Sequence, residues 1–99
     1  MPRYIIKLKD QYLEWSSIVD APVTSGGTLE EFREYYLNEY GSSSLAGLEE
    51  RLERVEAVGT SERGAKDISY TIGGNRAGPD ETCLTEDEIY QRYCVDRVG

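Results

Sequence analysis

A chain of 99 residues sits at the commonest size for one domain, and once one core is built too little remains for a second. Its 19 acidic and 11 basic residues leave a net charge of −8, which repels nucleic-acid phosphates and anionic membranes and favours basic protein surfaces. It has no histidine, so it lacks the usual near-neutral base, the usual partner of a nucleophilic Ser or Cys, and the commonest metal ligand; binding is expected rather than catalysis.

The opening Met1-Pro2-Arg3-Tyr4-Ile5-Ile6-Lys7 is too short and too charged for a signal peptide, and no apolar run approaches the roughly 20 residues that cross a bilayer. A cytoplasmic protein without membrane contact is expected. From Arg3 to Lys9, Tyr4, Ile6 and Leu8 fall on one face of a strand, with Arg3, Lys7, Lys9 and Ile5 on the other. Asp10-Gln11 reads as a tight turn. A second strand from Tyr12 to Val19 then puts Leu13, Trp15 and Val19 on one face and Tyr12, Glu14, Ser16 and Ile18 on the other. Pro22, which cannot donate to a ladder, and Ser25-Gly26-Gly27 end this hairpin near Ala21.

Thr28 with Glu31 forms a capping box, so a helix starts there. Leu29, Phe32, Tyr36 and Tyr40 share one of its faces, and Gly41 stops it. Ser42, Ser43 and Ser44 offer N-caps for a second helix carrying Leu45, Leu48, Leu52 and Val55 and ended by Gly59. The short connection predicts an antiparallel pair lying over the hairpin. Residues 60 to 67 read as a loop, and the alternation of Ile68, Tyr70 and Ile72 suggests a third strand near 67–72. After the breaker-rich stretch Gly73 to Asp80, Thr85 with Glu88 forms a second capping box, reinforced by a Leu84 to Ile89 staple, for a last helix from Glu86 to Tyr93. The fold class is therefore α+β, with an N-terminal β-hairpin packed against two or three helices in one domain spanning 1–99.

Cys83 and Cys94 match neither a C-x-x-C motif nor the cysteine density of secreted mini-proteins, so reduced thiols are expected, with no metal site and no cofactor. The charge is unevenly placed. Residues 28 to 56 hold eight Glu against three Arg, a net −5, and residues 80 to 97 hold six acids against two Arg, a net −4. Glu30 with Glu34, and Glu49 with Glu53, are like charges four residues apart, mildly destabilising for a helix and suited to a basic groove. An ordinary solubilising helix face accounts for the same rows. Eight tyrosines against one phenylalanine also suit an interface, and Tyr35, pointing away from Phe32 and Tyr36, is the candidate. The loop Gly73-Gly74-Asn75-Arg76 offers backbone N–H groups, an amide and a guanidinium to a phosphate, with Trp15 to stack on a base. It lacks the residues of a P-loop or a dinucleotide fingerprint, and turn chemistry explains its composition.

The stretches Tyr12-Leu13-Glu14-Trp15-Ser16-Ser17, Asp20-Ala21-Pro22-Val23-Thr24, Leu29-Glu30-Glu31-Phe32 and Gly74-Asn75-Arg76-Ala77-Gly78 resemble small acidic accessory proteins encoded by bacteriophages and prophages. Many proteins of that kind are similar to anti-defence factors such as anti-CRISPR proteins, DNA mimics, or sponges for nucleotide signals. The resemblance implies an anti-defence inhibitor acting in the host cytoplasm, and the charge and tyrosine patterns have it dock Glu30, Glu34, Tyr35, Glu49 and Glu53 on a basic, nucleic-acid-binding surface of a host protein. The alternative is a module that sequesters a phosphate-bearing nucleotide at Gly73, Gly74, Asn75 and Arg76, with Trp15 on the base. A third reading, a passive component of a larger assembly, predicts a stable homo-oligomer.

Overall fold

A computed structural model describes residues 3–95; Asp96 and Arg97 of the acidic C-terminal stretch lie outside the described residues. Strands β1 (Arg3–Leu8) and β2 (Gln11–Ser16) form the expected hairpin, in the register Ile5↔Glu14 and Leu8↔Gln11. The turn is Lys9-Asp10 rather than Asp10-Gln11, and Lys9 takes up the positive φ of 58°. β2 stops at Ser16, short of Val19. The chain turns at Asp20, also at positive φ, and returns as β3 (Ala21–Pro22), antiparallel to Trp15 and Ser16. The sheet order is β1-β2-β3.

The outer side of β1 is met by the Gly59–Ser61 segment, through Lys7 N–H to Gly59 C=O (2.9 Å) and Ser61 N–H to Ile5 C=O (2.9 Å). Along β2, Tyr12 exchanges both backbone bonds with Gly27, Val23 N–H donates to Glu14 C=O (2.8 Å), and Glu14 N–H donates to Thr24 Oγ1 (3.0 Å). Pro22 fits this border because its missing donor is not needed there.

Helix α1 (Leu29–Tyr40) begins at the Thr28/Glu31 capping box and α2 (Leu45–Val58) ends at Gly59, whose φ of 90° is the left-handed stop. The three serines between them form a 3₁₀ turn instead of a side-chain cap; Ser44 Oγ donates back to Gly41 C=O (2.6 Å). Helix α1 packs on β2 and α2 on β1. One face of the hairpin, with Ile5 and Tyr12, joins Phe32, Tyr36, Leu48, Leu52 and Val55 in a core under these helices. The opposite face, with Ile6, Leu8, Leu13 and Trp15, joins Ile68, Ile72, Ala77, Ile89 and Cys94 in a second core.

The segment expected as a third strand is instead helix α3 (Ile68–Ile72). Five residues with isoleucine at each end satisfy period 2 and an i, i+4 helical contact equally, and Asp67 decides between them by capping Ser69 N–H (2.9 Å). A strand would turn Tyr70 to the same side as Ile68 and Ile72, yet Tyr70 is 62% exposed while both isoleucines are buried. Helix α4 (Glu86–Tyr90) starts at the predicted Thr85/Glu88 capping box, with Leu84 packed against the core that holds Ile89, and continues as a π-turn over Gln91–Val95. The fold class is α+β.

Candidate functional site

The solvent face of α1 carries Glu30 and Glu34, and Glu39, half a turn round the helix from Glu30, is exposed on its flank. None of the three enters an ion pair or hydrogen bond among the described residues. On α2 the acids behave differently. Glu49 is bridged by Arg33 of α1, which holds its carboxyl below the usual range. Glu50 accepts from both Arg54 (2.9 Å) and Arg63 (2.8 Å). Glu56 accepts from Lys7 Nζ (3.0 Å) and from the Tyr12 hydroxyl, and that hydroxyl, more than the lysine, lowers its pKa. Glu53 is exposed and has no such partner among the described residues. Of the residues proposed from sequence, Glu30, Glu34 and Glu53 stand free, whereas Glu49 clamps α2 to α1.

Tyr35 departs from the expected outward pose. Its ring lies on Phe32, with centroids 5.7 Å apart, and its hydroxyl donates to Glu14 Oε1 (2.5 Å). Glu14 was missed by sequence reasoning as a special residue: in an alternating strand it reads as a solvent-facing acid. It is 1% exposed, because α1 covers the face of β2 that its register assigns to it. Its carboxylate also accepts from Tyr40 (2.7 Å, Oε2) and Arg3 (3.1 Å, Oε1). This buried carboxyl group thus has one cation and two hydroxyls as partners, which offset the cost of its burial. Burial and the bond to Glu14 push the Tyr40 hydroxyl up to about 12 and raise that of Tyr35 as well. Both phenols therefore stay protonated at neutral pH, and their bonds to Glu14 tie α1 to the sheet.

Beside the cluster, Glu31, Glu34, Tyr35, Asn38 and Glu39 line a shallow groove of about 530 Å³. Glu39 also lines the next groove, of about 580 Å³, where Tyr40 and Arg3 meet Ile18, Val19 and Val23. Ile18 is 68% exposed, and Val19 and Val23 are also open to solvent. Through Glu39 the acidic groove that holds Glu34 is therefore continuous with the apolar turn.

The alternative ligand residues are placed otherwise. Trp15 is 1% exposed and enclosed in the second core, with no face free for a base. Asn75 is 2% exposed, and its amide is fully used: Nδ2 donates to Ile72 and Leu84 C=O (2.8 Å each), and Oδ1 accepts from Leu84 N–H (2.9 Å) and Ala77 N–H (3.1 Å). Arg76 lies against Asp20 (3.4 Å) and Glu81 (3.5 Å) and donates to Ile18 C=O (3.0 Å). Gly73 caps α3 through Ser69 C=O (2.9 Å), and Gly74 takes a φ of 68°. Thr60 pairs with Thr71 (2.7 Å) and Ser61 Oγ accepts from Ile5 N–H (2.8 Å), so these hydroxyls also serve the fold. Comparison with protein-family models, curated proteins and solved structures found no match. Among the described residues no group of acids and cysteines has the geometry of a metal site, and no helix is long and apolar enough to cross a membrane. Cys83 is exposed and Cys94 buried, with no disulfide between them.

Proposed function

We propose that the chain is a non-enzymatic inhibitor of the phage anti-defence type, anti-CRISPR-like, that seats the outer face of α1 on a basic, nucleic-acid-binding surface of a host protein. The observation that carries this reading is the unneutralised pair of Glu30 and Glu34 on the outer face of α1, with Glu39 exposed on the flank of the same helix. The fold neutralises Glu14, Glu49, Glu50 and Glu56 with arginine or lysine and leaves these three to solvent. Glu30 and Glu34 stand one helical turn, about 6 Å, apart, and like charges so placed cost helix stability unless a cation meets them. The adjoining apolar turn of Ile18 and Val19 gives the surface a hydrophobic part beside a charged one, which fits a protein partner better than a small solute.

Capture from bacterial lysate at low and high salt tests the proposal, with wild type beside a Glu30→Lys, Glu34→Lys, Glu39→Lys variant. Nucleic-acid-binding proteins are expected on the wild type only, released by salt and by competing duplex DNA. Retention of the same proteins by the variant, or indifference to salt and DNA, overturns it. Glu49→Lys is expected to matter less than Glu34→Lys, because Glu49 is already neutralised by Arg33.

A further inference from the structure

Arg3, Arg51, Arg54 and Arg63, half of the eight arginines in the sequence, line a single groove of about 480 Å³ between the start of β1, α2 and the loop that follows α2. The acids in its lining are Glu50 and Glu62, and Arg3 is paired with Glu14, so the three remaining positive charges less two negative ones leave +1 in a molecule whose total is −8. The acids do not balance the bases locally. Arg54 and Arg63 share one oxygen, Glu50 Oε1. Glu62 accepts from the Thr71 hydroxyl (2.8 Å) rather than from any guanidinium. Arg51 has no ion pair or hydrogen bond among the described residues, and Arg3 is turned to Glu14. Two guanidiniums share one carboxylate oxygen, with the charge of Arg51 also acting on that carboxylate; like charges so placed repel one another, and an anion between them removes that repulsion.

The floor of the groove supplies a second, independent observation. Gly47 stands in the first turn of α2, where alanine makes the better helix, and a Cβ built there meets no atom within 4 Å. No packing contact requires a glycine, and its absent side chain leaves the backbone open to the groove that the arginines surround. Tyr4 supplies an aromatic wall.

We infer that this groove is a binding site for a compact phosphate-bearing anion, with Arg51 and Arg63 as its principal ligands and Arg54, held in place by its Nε–H bond to Ser61 C=O (2.8 Å), as the fixed one. A long nucleic acid is disfavoured, since the same helix presents Glu49 and Glu53 to solvent and the whole molecule repels a phosphate backbone. The site shares only Arg3 with the α1 surface, and neither set of test substitutions touches Arg3, so it stands or fails independently of the inhibitor reading.

Thermal-shift and calorimetric titrations of the whole chain at low ionic strength test it, with pyrophosphate and ADP as probes and sulfate at matched ionic strength as the control. Pyrophosphate or ADP is expected to raise the melting temperature by several degrees, and sulfate by much less. Equal shifts with both phosphate probes assign recognition to the phosphates alone; a larger shift with ADP adds the nucleoside. Arg51→Ala with Arg63→Ala is expected to weaken binding on the order of tenfold or more, with the unliganded melting temperature nearly unchanged, because neither side chain is buried. Lys66→Ala, which removes a positive charge outside the groove, is expected to leave binding intact. No shift with either phosphate probe, a sulfate shift of equal size, or undiminished binding by the double arginine variant overturns the assignment.

Discussion

The two faces of the hairpin are buried by opposite means. Under α3 and α4 the face of Ile6, Leu8, Leu13 and Trp15 is almost wholly apolar, although short elements and loops cover it. Under the long helices α1 and α2 the other face keeps a buried glutamate, four neighbouring aromatic rings of Tyr12, Phe32, Tyr36 and Tyr40, and a tyrosine, Tyr35, bonded to that glutamate. The regular helices cover the chemically mixed face, and the irregular segments cover the uniform one. Irregular chain can mould itself to an apolar surface but needs internal anchors such as Asn75, whereas a helix satisfies its own backbone and leaves its side chains free to answer Glu14.

Substitutions at the centre of each face break the comparison most sharply. Trp15→Ala opens a cavity in the apolar face and is expected to cost about 4 kcal/mol, enough to leave much of the chain unfolded in urea titration at room temperature. Glu14→Ala, in the mixed face, leaves two hydroxyls and Arg3 without their acceptor; a loss of about 3 kcal/mol is expected, or about 15 °C in melting temperature for a domain of this length. A smaller loss at Glu14 than at Asp67, which only caps α3, contradicts the account of the buried carboxylate.

Alkaline titration probes the same face without mutation. Because Tyr40 is raised to about 12 when folded, against about 10 in an unfolded chain, its contribution to stability is complete below pH 10 and is lost as the pH climbs towards 12. Tyrosinate absorbance should show three late-titrating residues, Tyr12, Tyr35 and Tyr40; in Glu14→Gln only Tyr35 and Tyr40, which are bonded to Glu14, are expected to titrate earlier. The smallest effect is the most discriminating. Glu14→Leu combined with Tyr35→Phe and Tyr40→Phe removes donors and acceptor together, so stability within about 1 kcal/mol of wild type is expected. A loss as large as that of Glu14→Ala means that the network stabilises the fold outright rather than fixing how α1 sits on the sheet.

Much of this was legible in the sequence. The alternation over Arg3–Lys9 and the first part of that over Tyr12–Val19, both capping boxes and the Gly59 stop are local patterns that the structure has, the second strand ending early at Ser16. What was not legible depends on distant partners. Ile68–Ile72 fits two periods over so short a span. Glu14 has the alternation of an exposed residue, and only the placement of α1 buries it. Asn75, in a run of glycines, has the composition of an open loop, and nothing nearby announces that Leu84, nine residues on, will take both ends of its amide. The arginine groove escaped for the same reason, since residue 3 joins residues 51 to 63 only through the tertiary fold.

The segments that border the sheet on both sides decide how this molecule can associate. With Gly59–Ser61 bonded along β1, and residues 21 to 27 bonded along β2, the described residues leave no open ladder of several residues for an incoming chain. Strand addition and runaway β-stacking on these edges are thereby disfavoured, which leaves recognition of a partner or a second copy mainly to side chains.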